Sequence, residues 1–401
     1  MAAIGQLSLE TNGTVAGGLG QLLVKPPKAE REFNYAGATF RVSPKSPFVV
    51  CCFSGAGSHS EVLAKGTELL QEGLDILSMT GGADLATRDA NEEYIAWWKE
   101  AGTKVIAVAS TATFSFSVGP IELEVRDASG TPVPPKIVIP QHHLAFRFYR
   151  LAQVSDDLFD AYRNMYLAFE LLLSARYPKA KEREINWLRK SLTTAANELG
   201  LSNLVGVTNP APIEYLIDAL YTNTRLPLFH AKDGRAYFAS NTANQDRRTV
   251  ASSLELLTRI VIRMAEAWHH TRRIGGAVNL ELMERSYSNT FDKVEFVAAT
   301  GSSFSPEDEL SNPNIRDGTR FAAKLNDEFN GEHRPHIQGR LNIPSTIGGA
   351  VLGALYIVDK EVTLITHVLD VALDIQGFDV LEACCFFRQT NSSEPRLLFP
   401  R

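Results

Sequence analysis

The sequence predicts a multidomain α+β chain. A central bundle of four to five helices is flanked by an N-terminal α+β domain and a C-terminal β-rich or α+β domain. Three observations carry this expectation. The chain has 401 residues, long enough for two or three domains. Between residues 147 and 275 apolar residues recur at helical spacing. On either side of that segment, short apolar runs alternate with turn residues, as strands do.

Residues 1–30 are rich in glycine (Gly13, Gly17, Gly18, Gly20) and end in Pro26-Pro27, which reads as a flexible N-terminal arm or an edge element. Residues 31–146 form the first α+β domain. Phe33–Val42 and Phe48–Phe53 read as strands, Glu61–Ser78 as a helix, and Val105–Val108, Phe114–Val125 and Ile137–Ile139 as further strands. The bundle spans 147–275. Its first long helix has Ser155 as N-cap and the stripe Leu158, Tyr162, Met165, Tyr166, Phe169, Leu172, Leu173. A second stripe runs from Ile185 to Leu199, with Gly200 as the left-handed stop. A short helix carries Ile213, Leu216, Ile217 and Leu220, and a long one runs from Val250 to Trp268. The C-terminal domain spans 280–401. There Val294–Ala298, Ile337–Ile343, Ala350–Val358 and Val380–Phe387 read as strands, and Val362–Leu373 as strand or helix.

The composition is that of a globular protein, 44% apolar and 21% charged, with a net charge of −6. That balance gives no bulk signal for nucleic acid. The charge is nevertheless uneven: residues 147–275 hold 18 Lys+Arg against 13 Asp+Glu, a surplus of five. A local polyanion site on an acidic body is the expectation. The four cysteines form adjacent pairs, Cys51-Cys52 and Cys384-Cys385, inside apolar runs. Strand neighbours face opposite ways, so buried thiols in a reducing compartment are expected. No basic and apolar leader opens the sequence, and the longest smooth apolar stretch, Ala350–Val358, is too short for a bilayer. A cytoplasmic protein without a membrane partner is expected.

The candidate site is Arg225-Leu226-Pro227-Leu228-Phe229-His230. A guanidinium neutralises phosphate bidentately, and an imidazole moves protons near neutrality. With 26 Arg and 9 His in the chain, chance supplies about 0.6 such pairs, so the setting must carry the argument. Pro227 disfavours helical geometry at the residue before it, which predicts an extended Leu226 and a helical turn starting at Pro227. If 225–230 were instead a regular helix, five steps of about 100° would set the two side chains about 140° apart. A second protomer would then complete the site. Glu170, in the apolar centre of Leu167–Leu173, needs a partner, and Arg225 or Arg163 would serve. Arg263, His269 and His270, with Arg272 and Arg273, make a basic helix end. Two weaker signals are Ser54-Gly55-Ala56-Gly57-Ser58, a strand-to-helix loop without a complete phosphate-loop pattern, and His333-x-x-His336, placed in a loop.

Arg225-x4-His230 and the upstream helix from Asp157 to Leu173 resemble the HEPN superfamily, helical bundles that carry an R-x(4–6)-H motif. Leu228-Phe-His-Ala-Lys232 also resembles bacterial proteins labelled methylamine utilisation protein J. The HEPN resemblance covers about 130 residues. It implies metal-independent endoribonuclease activity, often in toxin or antiphage systems, at a homodimer or higher-oligomer interface. By the same resemblance Arg225 would stabilise the scissile phosphate, His230 would act as acid or base, and Glu170 would support them. Arg163, Lys232, Arg235, Arg263 and His270 would contact RNA. No cofactor and no metal are implied. A regulatory protein partner fits the flanking domains. Family members usually carry a polar residue after the arginine, where this chain has Leu226 and Pro227. The other readings of the same residues are a non-catalytic HEPN-like protein that binds RNA, a nucleotide or a protein, and an oligomeric scaffold.

Overall fold

The fold is mixed α+β, seen in a computed structural model. It describes residues 2–10, 16–80, 82–83, 85–88, 93–116, 129, 139–155, 157–205, 210–230, 244–271, 280–301, 304–305, 307–308, 311–329, 332–344 and 350–391. The chain divides into two compact units. One combines Met1–Phe114 with Asn279–Arg388, and the other is mainly Ser115–Val278.

The first unit is built on a sheet. Its N-terminal segment supplies β1 (Ala3–Ile4), β2 (Leu7–Ser8), β3 (Gly18–Leu22), β4 (Arg31–Tyr35), β5 (Ala38–Val42), β6 (Phe48–Cys52), β7 (Tyr94–Glu100) and β8 (Thr103–Phe116). The C-terminal segment supplies β9 (Glu295–Thr300), β10 (Thr319–Phe329), β11 (Glu332–Asn342), β12 (Val351–Asp359), β13 (Val362–Asp374) and β14 (Val380–Asn391). Among the described residues these form one 14-stranded sheet, in the order β2-β1-β13-β12-β9-β10-β11-β14-β8-β7-β3-β6-β5-β4. The segments expected as separate domains at 31–146 and 280–401 therefore meet at β8 and β14, and β1 joins β13 at the far side. The expected arm is likewise part of the sheet. β1 and β2 lie at one edge, while β3 is paired on both sides and fully buried. Glycine is what admits β3 there: a Cβ on Gly18 would stand 2.3 Å from both the Cys51 carbonyl oxygen and the Trp97 ring.

The helix His59–Met79 covers one face of this sheet. Ser58 caps it by accepting the Glu61 N–H at 3.4 Å, and the Glu61 carboxylate reaches back to the Gly57 N–H at 2.8 Å. Val62, Leu69, Leu70 and Leu74 from the helix share a core with Leu19, Phe40, Cys51, Tyr94 and Trp98 from the strands. All four cysteines are buried thiols outside any disulfide. Burial pushes the Cys51 thiol far up and the Cys385 thiol to about 11. His336 lies on β11 rather than in a loop.

The second unit is helical, with helices at Ala145–Gln153, Leu158–Arg176, Glu184–Leu199, Leu201–Leu204 and Asn244–His269. A further helical run covers Pro212–Phe229 in three parts. Asp157, two residues past the expected cap Ser155, is the N-cap of the helix Leu158–Arg176, accepting the Asp160 N–H at 2.7 Å. The helix buries Leu158, Tyr162, Met165, Tyr166, Phe169, Leu172 and Leu173 against Leu192, Leu220, Val261 and Met264. Trp187 is buried as well, and its indole donates to the Tyr177 carbonyl at 2.7 Å. Gly200 ends its helix at φ +61°, where a Cβ is costly. Among the described residues no helix is long and apolar enough to cross a membrane.

Candidate functional site

The backbone that carries Arg225 is unusual. After an α-helical start at Pro212–Leu216, Ile217–Arg225 winds as a π-helix, and Leu226–Phe229 returns to α geometry. The Leu226 N–H donates five residues back, to the Tyr221 carbonyl. Leu226 has φ −61° and ψ −48°, so it is helical and not extended as Pro227 led one to expect. In a regular α-helix the ring of Pro227 would strike the carbonyl four residues earlier, and a hydrogen bond would be missing. The wider π turns move the preceding carbonyls out of that register. A buried hydroxyl pair secures them. Thr224 is fully buried, with Oγ1 2.8 Å from the Ala219 carbonyl oxygen and 2.9 Å from Ser253 Oγ.

His230 leaves the helix with extended backbone (φ −130°, ψ 90°), and its ring turns back onto Arg225. Arg225 Nη1 donates to His230 Nε2 at 3.1 Å. A guanidinium has only donors, so this bond requires the neutral imidazole with its proton on Nδ1. The two groups therefore meet within one protomer. The separation that called for a second copy holds only for an unbroken helix, and the turn at His230 removes it. His230 is exposed to solvent, whereas Arg225 is mostly covered.

Arg225 sits in an aromatic and acidic frame. Its guanidinium carbon lies 5.1 Å from the Phe229 ring centroid, 5.4 Å from Tyr221 and 5.8 Å from Tyr166. Nη2 is 3.2 Å from Glu184 Oε1, a charge contact whose angle falls short of a hydrogen bond. The Tyr221 hydroxyl donates to the other oxygen of Glu184 at 3.4 Å. Arg225 Nε and the Tyr166 hydroxyl are buried without a hydrogen-bond partner. Burial drives the Tyr166 hydroxyl far above its ordinary range, so it stays a neutral donor.

Glu170 is close enough to feel these charges. Burial raises its carboxyl pKa, Glu184 raises it further, and Arg225 and Lys179 pull it down. The carboxylate paired with Arg225 is Glu184, first residue of the helix Glu184–Leu199, and not Glu170. Arg163 pairs with Asp160 at 2.9 Å and donates to the Leu228 carbonyl at 3.2 Å, so it braces the turn before His230. Arg263 pairs with Glu266 at 3.6 Å. His270 stands just past the helix end at φ +56°. Lys232 and Arg235 lie outside the described residues. Glu184 escaped the sequence reading because an acidic residue opening a helix is accounted for by the helix dipole alone. Nothing local ties it to an arginine 41 positions later.

Neither weaker motif gains a ligand set. Ser54–Ser58 leads into the helix His59–Met79, and the Ser54 carbonyl is held by Lys65 at 2.7 Å. His336 is buried, with Nδ1 2.8 Å from the Arg334 carbonyl oxygen, and burial lowers its pKa. Among the described residues no group of three His, Cys, Asp or Glu could hold a metal ion.

Residues 145–266, which contain the whole Arg225/His230 site, match the family model of the methylamine utilization protein MauJ. No curated protein and no solved structure matches the chain.

Proposed function

We propose that the helical unit is a HEPN-type, metal-independent endoribonuclease module with Arg225 and His230 at its centre. The observation that supports this reading best is the contact of Arg225 Nη1 with His230 Nε2 at 3.1 Å, beside solvent. An RNA phosphate entering there takes the guanidinium, and so releases Nε2 from its bond to Arg225. Freed Nε2 is then the base for the adjacent 2′-hydroxyl. The 2′-oxygen bonds to phosphorus, the bond from phosphorus to the 5′-oxygen breaks, and the proton gained by His230 returns to the leaving 5′-oxygen. Arg225 stabilises the charge that develops on the phosphoryl oxygens, and the unpartnered N–H of Arg225 and O–H of Tyr166 add donors behind it. The products are a 2′,3′-cyclic phosphate and a 5′-hydroxyl.

A second reading rests on Glu184, which already neutralises Arg225. On that reading the site is non-catalytic, and the protein binds RNA, a nucleotide or a protein partner, or serves as an oligomeric scaffold. The test is incubation of the full chain with mixed RNA in EDTA. The nuclease reading expects cyclic-phosphate ends from the wild type and none from His230→Ala. RNA left intact by the wild type, with binding lost in Arg225→Gln, selects the second reading.

A further inference from the structure

The sheet unit contains a cavity of about 330 Å3 where the helix His59–Met79 begins, beyond the part of the sheet that the helix covers. It lies at the small end of the 300–1,000 Å3 typical of ligand sites. Side chains from the helix start and from β7, β10, β11 and β14 converge on it. From these residues the geometry points to a binding site for a small organic cation, an amine or amidine that also carries a hydrogen-bond acceptor.

Charge is the first argument. The wall holds three carboxylates (Glu100, Glu328, Glu382) against one guanidinium (Arg340), an excess of acidic groups. Arg340 is already committed to Glu100 by an ion pair. Glu382 is committed too: it accepts from His59 Nδ1 at 2.8 Å and from Gln338 Nε2 at 3.0 Å. Burial alone would raise its pKa. The bond and charge of His59, the Gln338 bond and nearby Arg340 outweigh that and hold it below the ordinary carboxylate value. Glu328, exposed on the rim, is left as the carboxylate with no ion-pair partner among the described residues.

Aromatic rings are the second argument. Phe329 adjoins Glu328 on the wall and meets the His59 ring edge-on at 5.5 Å, and Trp98 stacks on His59 at 5.0 Å. Both ring nitrogens of His59 are occupied, Nδ1 by Glu382 and Nε2 by the buried Tyr94 hydroxyl at 3.1 Å. His59 is thus a fixed wall rather than a free base. A cation placed between the Phe329 ring and Glu328 gains both ring and charge attraction. The absence of a three-residue metal-binding group among the described residues favours an organic cation over a metal ion.

The acceptor requirement comes from Trp98. It lines the cavity, is 2% exposed, and its indole N–H has no hydrogen-bond partner. The N–H itself is covered, so an acceptor atom on the ligand reaches it with a turn of the Trp98 ring, and the unsatisfied buried donor favours that turn.

The test uses three probes of matched size that share one hydroxyl: 4-aminobutanol, 1,4-butanediol and 4-hydroxybutyrate. They are titrated into the full chain by calorimetry, and by nitrogen-edited NMR of the Trp98 indole N–H, assigned with Trp98→Phe. We expect saturable binding of the amine, at least tenfold tighter than of the diol, with a shift of the indole resonance. Glu328→Gln, an exposed change that leaves the fold intact, should weaken the amine at least tenfold and leave the diol unchanged. Equal binding of the diol or the hydroxy acid overturns the proposal. So does amine binding that Glu328→Gln leaves unaltered, or no shift of the Trp98 indole at saturating amine. The outcome is independent of the Arg225/His230 site, which lies in the other unit.

Discussion

Replacing Glu184 by Gln should weaken the helical unit through Arg225 specifically. The two charges are 3.2 Å apart, with Arg225 14% and Glu184 19% exposed. At that distance and an effective dielectric of about 20, unit charges attract by about 5 kcal/mol. Desolvation of two largely covered ions cancels most of this, leaving a net loss of about 1–3 kcal/mol when one partner is neutralised. For a unit of this size each kcal/mol moves the unfolding midpoint by about 2–4 °C, so a fall of roughly 2–12 °C is expected. Thermal unfolding of wild type, Glu184→Gln, Arg225→Gln and the double variant closes a mutant cycle. The coupling energy should be at least about 1 kcal/mol; additivity within about 0.5 kcal/mol would refute the ion pair as a stabilising contact. A second readout is chemical. Because Glu184 raises the Glu170 pKa, carboxyl-carbon NMR should show Glu170 titrating at lower pH in Glu184→Gln. An unmoved Glu170 titration would mean that the two carboxylates do not share a site.

Thr224→Val removes the buried hydroxyl that bonds the π-helix to Ser253, while Ser253 Oγ keeps the Ala219 carbonyl at 3.2 Å. Chemical denaturation should show a loss of about 1–2 kcal/mol, and the amides of 219–226 should exchange faster. Gly18→Ala drives a Cβ into the Cys51 carbonyl, which should cost about 3 kcal/mol or more and lower the soluble yield. Glu382 has a folded pKa below its ordinary value, so its bond to His59 stabilises the fold above the ordinary carboxylate range. That stabilisation is lost as pH falls through the folded value. The acid limb of a stability–pH curve for the sheet unit should flatten in Glu382→Gln.

Local signals in the chain were strong where structure is local. The stripe from Leu158 to Leu173 and the stop at Gly200 both follow from helix geometry and lie where periodicity places them. Strand identity was equally legible for Phe48–Cys52 and Val351–Asp359, because a fully buried strand is a continuous apolar run. Partnership was not, since alternation marks a strand but not its neighbour. The junction of β8 with β14 joins segments hundreds of residues apart. The start of β11, before the strand read at Ile337–Ile343, was obscured by Pro335, which sits where the β10–β11 register shifts. An irregular ladder tolerates a proline that a regular one excludes. At the candidate site the Arg225/His230 pair could be read directly. Its backbone could not, because Ser253, from a distant helix, helps hold the π turns.

The intramolecular contact also changes what a second protomer is needed for. If Arg225 and His230 of one chain form the working pair, an Arg225→Ala chain and a His230→Ala chain each lack half of every site. Mixing them then restores nothing. In a site shared across an isologous interface, each mixed dimer instead holds one intact pair, and full exchange returns about a quarter of wild-type sites. The measurement is RNA cleavage in EDTA by the two variants unfolded and refolded together, against each refolded alone, with subunit exchange verified by native mass spectrometry of tagged chains. The 3.1 Å bond within one protomer predicts no gain over the separate variants. Recovery near a quarter would show that the exposed face of His230 finds its arginine on another copy, and that the bond seen here is the resting arrangement rather than the catalytic one.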